Sequence, residues 1–305
     1  MNIELFLKSP DKTVIIIAGP TAVGKTAIAL DVAKHFQTEI VSADSRQCFK
    51  EMNIGVARPS RDELQQVKHH FIASHSIHEE VTAATFEQYA LKKVGELFQQ
   101  HDIVVMTGGT GLYIKAFCEG LDQIPDIPKQ IREEIIVNYD QSGIEWLQKE
   151  IQSKDPEFYQ VGEIQNPQRM MRALEVIEAT GKSILHFRKG KKQIRDFSIK
   201  KIALELPKEI LRQRIDKRVD QMMDAGLLDE VKQLQPFKQL NALQTVGYAE
   251  LFDYLDGKLS LNKAIEQIKI HTRQYAKRQM TWFKKDHTIE WYSPLDAATI
   301  IRASR

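Results

Sequence analysis

Cysteine is nearly absent. Cys48 and Cys118 are the only two, too few for a disulfide framework or a cysteine-built zinc site and too far apart for a CxxC pair. That usage fits a reducing cytoplasm. Long apolar runs are missing as well: Val14 to Ala18 and Ile103 to Met106 are the most apolar stretches, far short of the ~20 residues a membrane span requires. The opening MNIELFLKSPDK has neither the basic start nor the small-residue cleavage site of a signal peptide. The expectation is a soluble cytoplasmic protein without a membrane partner. No charge of one sign dominates either. Lys and Arg number 43 against 41 Asp and Glu, so affinity for a polyanion must come from how charge is distributed. Four clustered histidines, His69, His70, His75 and His78, lack companion cysteines and helical ligand spacing, and read as loop or surface residues.

What is present is the pattern of an α/β protein. Short β-branched runs alternate with longer amphipathic stretches in the first third, which implies βαβ units and a parallel sheet flanked by helices. Val14 to Ala18 reads as a buried strand. Lys25 to Phe36 reads as a helix with Ile28, Val32 and Phe36 on one face. Glu39 to Ala43 and Ile103 to Met106 read as further strands. After Lys115 the β signal stops, and Pro125, Pro128, Pro156 and Pro167 punctuate short helices. One of these is marked at both ends, by Asn166 as N-cap with Pro167 at its first position, and by Gly181 just past its last turn. The βα pattern resumes at Ile202. The expected organisation is a P-loop NTPase-like core in two parts, 1–114 and 199–305, around an all-helical insertion at 115–198.

Residues 19 to 26 read GPTAVGKT, the GxxxxGK[ST] phosphate loop, between an expected strand and an expected helix as the motif requires. A chance match in a chain this long occurs about one time in a hundred. Gly19, Pro20, Thr21, Ala22, Val23 and Gly24 would wrap a phosphate with backbone N–H groups at the helix's positive end. Lys25 adds a cation and the Thr26 hydroxyl is the usual ligand for Mg²⁺. Such a loop alone does not choose a reaction. The strand Ile103 to Met106 runs into TGGTG with no metal-holding carboxylate. The polar strand end nearest the loop, VSADSRQ, puts Asp44 beside the phosphates in a doubly wound sheet.

At this point the residues match a known pattern: the sequence resembles the bacterial tRNA dimethylallyltransferase (tRNA isopentenyltransferase) family over nearly its whole length. The resemblance rests on GPTAVGKT (19–26), SADSRQ (42–47), NIGVARP (53–59), GGTGLY (108–113), NPQRMMRALEVIEATGK (166–182), QTVGY (244–248) and TRQYAKRQMTWF (272–283). It implies transfer of a dimethylallyl group from dimethylallyl diphosphate, with Mg²⁺, to the exocyclic N6 amine of the adenine adjacent to the anticodon in tRNAs that read codons beginning with U. The implied fold is a P-loop core with a helical insertion that grips the anticodon stem-loop. A monomer is expected. Phe49 stands where the family commonly has Tyr, and Arg58 where it has Lys.

That chemistry suits these residues. The loop would stabilise charge growing on a departing diphosphate, and the resemblance names Arg218 as the arginine that closes the clamp. An exocyclic amine is a poor nucleophile, so Asp44 is the expected general base. Ser45, Arg46 and Gln47 are expected at the RNA base, and Thr110 and Tyr113 along the channel. An adenine in a stacked loop must swing out to react, so RNA has to be gripped. Residues 182–201 hold eight Lys or Arg against one Asp, and 263–285 hold seven against one Glu. In the second stretch Arg273, Lys277 and Arg278 interleave with Tyr275, a mixture suited to phosphate contact and stacking, while Trp282 and Phe283 are expected in the core. Arg169 and Arg172, three apart on one helix face, are expected at the RNA backbone. Gln168 and Arg132 join them from the resemblance. The competing reading is a small-molecule kinase binding ATP at the same loop.

Overall fold

The computed structural model describes residues 12–304. Along the chain lie β1 (Thr13–Ala18), α1 (Lys25–His35), β2 (Ile40–Ser42), α2 (Arg61–Gln66), β3 (His69–His70), α3 (Ala83–Leu97), β4 (Ile103–Gly108) and α4 (Gly111–Glu119). Four helices follow: α5 (Lys129–Lys154), α6 (Pro156–Val161), α7 (Pro167–Thr180) and α8 (Ile184–Phe187). Then come β5 (Ser198–Leu204), α9 (Lys208–Asp224), α10 (Leu227–Leu234), α11 (Tyr248–Leu255), α12 (Leu261–Phe283), β6 (Glu290–Tyr292) and α13 (Ala297–Ala303).

The chain divides into two compact units. One comprises the chain up to Cys118 together with the part from Ile194 onward; the other is Glu119–Gln193. The helical unit therefore begins later than residue 115, because Phe117 and Cys118 of α4 are buried in the first unit's core.

In the first unit the six strands form one parallel sheet in the order β3-β2-β4-β1-β5-β6. Alternation along β1 sends Val14 and Ile16 into one core layer and Ile15 and Ile17 into the other, where α1 packs. All four side chains are fully buried, as a parallel sheet covered on both faces requires. Register then positions the site. Ala18 pairs with Gly108 and Ser42 with Thr107, so the chain leaves β1, β2 and β4 at one edge and sets three loops side by side. Phe283 is buried as expected, whereas Trp282 remains 39% exposed. His70 departs from the surface expectation: it is buried in the edge strand β3 and bonded to Glu39.

The second unit has its own core, in which Leu147, Ile151, Phe158, Met170 and Leu174 are buried. Gly143, at φ 71°, breaks α5 in the middle. The Asn166 side chain caps α7 by accepting from the Arg169 N–H, and Gly181 ends it at φ 68°.

Candidate active site

The phosphate loop turns tightly between β1 and α1. Gly19 has φ 139°, and a Cβ there would lie 2.8 Å from the Leu204 carbonyl oxygen; Gly24, at φ 110°, is the N-cap of α1. Lys25 Nζ donates to the carbonyls of Gly19 (3.0 Å) and Pro20 (2.8 Å). Burial lowers its pKa from 10.5 to about 8; the charge of Asp44 opposes that fall and the charge of Arg218 adds to it. The phosphate lysine, the strand-end carboxylate and the expected clamp arginine thus share one electrostatic site. Arg218 Nη1 donates to Thr21 Oγ1 at 3.4 Å, and one turn earlier on α9 Arg214 donates to the Val23 carbonyl at 3.1 Å. Arg214 is a second cation at the loop. Its i, i+4 spacing to Arg218 was the signal for it in the sequence.

On the neighbouring loop, half-buried Asp44 uses Oδ1 to accept from the N–H groups of Arg46 (2.9 Å) and Gln47 (3.2 Å), which fixes the carboxylate's orientation. Thr110 Oγ1 accepts from the Ser45 N–H (3.0 Å) and donates to Ser45 Oγ (3.3 Å), while the Thr110 N–H donates to the Ala43 carbonyl (3.2 Å). Gly108 makes this closeness possible: a Cβ there would lie 2.2 Å from the Ala43 carbonyl oxygen. The Arg46 guanidinium donates to the carbonyls of Asn241 and Ala242, and the Gln47 amide to those of Val56 and Ala57. Those two side chains therefore brace the loop. Tyr113 leaves the expected channel: it is 4% exposed, stacks on Phe86 and donates to the Val81 carbonyl. Arg58 also braces, donating to the carbonyls of Phe49, Lys50 and Met52.

Helix α12 closes the site from the other side. The Tyr275 pKa is raised to about 12, chiefly by burial of its hydroxyl, with the Asp44 charge adding. Its ring keeps an exposed edge, and the Arg278 guanidinium lies 5.9 Å from the ring centre. Lys277 and Arg278 are exposed, but Arg273 forms a two-pronged pair with Asp216 of α9. That pairing spans 57 positions in the chain and is invisible to helical periodicity. Buried Gln279 accepts the Thr21 N–H at 2.8 Å and donates to the Gly109 carbonyl at 2.9 Å. Sequence reasoning passed over it. Its signal was a polar residue on the stripe that buries Ala264, Ile268, Ala276 and Phe283.

In the helical unit Gln168 and Arg169 are exposed at the start of α7. Arg169 pairs with Glu163, and Arg172 with Glu175 at 2.9 Å. Arg132, from α5, approaches the same Glu175 at 3.6 Å, so one buried carboxylate sits under two guanidiniums. Among the described residues no group of three His, Cys, Asp or Glu side chains converges as a metal cage. No described helix is long and apolar enough to cross a membrane.

A parallel sheet that brings a phosphate loop, two arginines and a carboxylate loop to one edge defines a P-loop enzyme of the group-transfer kind. More narrowly, the chain belongs to the IPP transferase family, whose model matches residues 47–286. It is 49% identical over 278 residues to the tRNA dimethylallyltransferase of Christiangramia forsetii, covering 91% of this chain and 92% of that one. The crystal structure of the full-length tRNA isopentenylpyrophosphate transferase from Bacillus halodurans superposes with a TM-score of 0.70 at 32% identity, over 96% of this chain and 95% of that one. A eukaryotic dimethylallyltransferase studied crystallographically while acting on tRNA gives a TM-score of 0.76 at 27% identity, over 96% and 77% of the two chains.

Proposed function

We propose that this protein transfers the dimethylallyl group of dimethylallyl diphosphate to the N6 amine of the adenine beside the anticodon of tRNA, acting as a cytoplasmic monomer. The observation that carries the reading is the convergence on one sheet edge of the phosphate loop, gripped by Lys25 and Arg218, and the Asp44 loop, held by Thr110, with Lys25 feeling the charges of both Asp44 and Arg218. The leaving diphosphate lies in the loop 19–26, where Lys25, Arg218 and Arg214 meet the charge that grows as the C–O bond breaks. Asp44 accepts a hydrogen bond from the adenine amine and takes its proton as the new C–N bond forms. The backbone N–H groups of Arg46 and Gln47 hold that carboxylate in place.

The donor set at the loop suits Mg²⁺: the Thr26 hydroxyl and phosphate oxygens are hard ligands, and magnesium sites commonly draw on the substrate's own phosphates instead of an all-protein cage. Bound there, Mg²⁺ would neutralise charge on the diphosphate. For the RNA, Lys277 and Arg278 on α12 and Gln168, Arg169, Arg172 and Arg132 on the helical unit offer phosphate contacts. The exposed pair of Arg169 with Glu163 is readily exchanged for a phosphate, whereas Arg172 and Arg132, held over the buried Glu175, would turn their outward N–H groups to the backbone.

The test is incubation of the protein with Mg²⁺, labelled dimethylallyl diphosphate and bulk tRNA. Label should precipitate with the RNA, and Asp44→Ala should abolish transfer while leaving tRNA binding nearly intact. No transfer, with ATP consumed instead, would establish the kinase reading. Joint loss of binding and turnover in Asp44→Ala would make Asp44 structural.

A further inference from the structure

The two halves of the site are carried by different loops. Diphosphate belongs to 19–26, after β1; the acceptor base belongs to 43–47, after β2, which Thr110 holds from the loop after β4. In-line displacement requires these loops to keep one fixed separation, since a 1 Å misplacement costs about 100-fold in rate. The geometry points to Gln279 as the positioning residue that sets that separation, an inference that rests on the function proposed above.

Gln279 is 6% exposed, and its two amide atoms go to the two sides. Oε1 accepts the Thr21 N–H of the phosphate loop at 2.8 Å, and Nε2 donates to the Gly109 carbonyl at 2.9 Å. The partners leave no ambiguity about the amide's orientation, because an N–H needs the oxygen and a carbonyl needs the NH₂. From Gly109 the connection reaches Asp44 in short steps. Thr110 is the next residue; it binds the Ser45 N–H and, through its own N–H, the Ala43 carbonyl. Asp44 lies between those two. Gly109 allows no slack, since a Cβ there would lie 2.2 Å from the Gln279 Nε2. The helix that carries Gln279 is itself anchored. Ala276, one turn earlier, packs with Ala22 of the phosphate loop and Ile215 of α9, and Phe283, one turn later, is buried.

A side chain that only filled space here would need no amide, and one that only capped a loop would need one hydrogen bond. Gln279 spends one donor and one acceptor on two different loops of the site. It also removes the Thr21 N–H from the phosphate cradle, and the Val23 N–H is turned to the Pro20 carbonyl. The anion-facing donors must therefore come from the remainder of the loop.

Two measurements on the full chain test this. Magnesium pyrophosphate is added and amide hydrogen exchange is followed in residues 43–47 and 107–111, which lie outside the phosphate loop. Wild type should show slowed exchange in both segments, and Gln279→Met, of similar volume with no amide, should lose that protection while still binding pyrophosphate. In the transfer assay the same variant should lose about 10- to 100-fold in kcat, with KM for tRNA and for dimethylallyl diphosphate changed by less than about threefold. Gln279→Asn, one methylene short of spanning both partners, should behave alike if Gln279→Met does not fold. Protection that persists in the variants, or an unchanged kcat with raised KM, overturns the assignment. Loss of the fold in both variants makes Gln279 a structural residue and overturns it equally. If wild type shows the exchange coupling but transfers no prenyl group, the proposed function fails and the coupling stands.

Discussion

Replacing Lys25 by Met separates what the lysine costs the fold from what it contributes to phosphate binding. Burial holds its pKa at about 8 against an ordinary 10.5. Below pH 8 the ammonium is charged in both folded and unfolded chains, and the folded state bears the full desolvation cost. Between pH 8 and 10.5 the folded protein releases the proton while the unfolded chain keeps it, so this residue makes stability rise with pH across that window. At ~1.4 kcal/mol for each tenfold change in proton affinity, the ceiling is roughly 3 kcal/mol. The side chain is not wholly shielded from water, and its bonds to Gly19 and Pro20 weaken once it is neutral, so roughly 2 kcal/mol is expected. Urea unfolding of wild type and Lys25→Met at pH 7 and pH 10.5 reads this directly. The stability difference between them should move by roughly 2 kcal/mol in favour of wild type at the higher pH. Bound pyrophosphate favours the charged lysine, so its affinity for wild type should fall as pH rises through about 8 and be weak throughout in the variant. A stability difference independent of pH, or one moving the other way, would refute the reasoning.

Three further outcomes are expected. Gly108→Ala drives a methyl against the Ala43 backbone and should cost ~1–3 kcal/mol or more, whereas Gly95→Ala in α3, with open space around it, should stabilise by ~0.5–1 kcal/mol; equal urea midpoints would show that the loops are not so tightly apposed. Glu230→Gln disturbs a carboxylate that accepts the N–H groups of Asn53, Ile54 and Gly55 and the Tyr248 hydroxyl, and should lower stability by about 2 kcal/mol, measured by thermal unfolding. Removing the charges of Arg169 and Arg172 should weaken tRNA binding and flatten its dependence on salt; titrations superimposable with wild type at several salt concentrations would remove both residues from the interface.

Local signals carried much of this structure and long-range ones did not. The strand–loop–helix of β1 and α1 and the α7 boundaries follow from patterns of a few residues, and the fold places them accordingly; Arg218 is marked by the family resemblance, since its helical spacing to Arg214 alone would equally suit a solvated face. Asp44 was legible because a parallel sheet brings successive strand ends to one edge. What could not be read were pairings made across the chain. Arg273 meets Asp216, Gln279 meets Thr21 across 258 positions, and His70 finds Glu39. Each turns a residue of surface character into a brace. Arg46 and Gln47 show the same limit, since the motif marks their presence and only the packed loops show that their side chains grip neighbouring carbonyls.

The segment from Glu119 to Gln193 begins and finishes at almost the same point, for the Gln193 N–H donates to the Glu119 carbonyl at 2.8 Å. A seam that narrow lets material be spliced in or trimmed out with hardly any adjustment of the chain on either side. Evolution can thus lengthen, shorten or exchange the helical module without redrawing the order of strands, and a protein engineer has the same two cutting points for grafting another one.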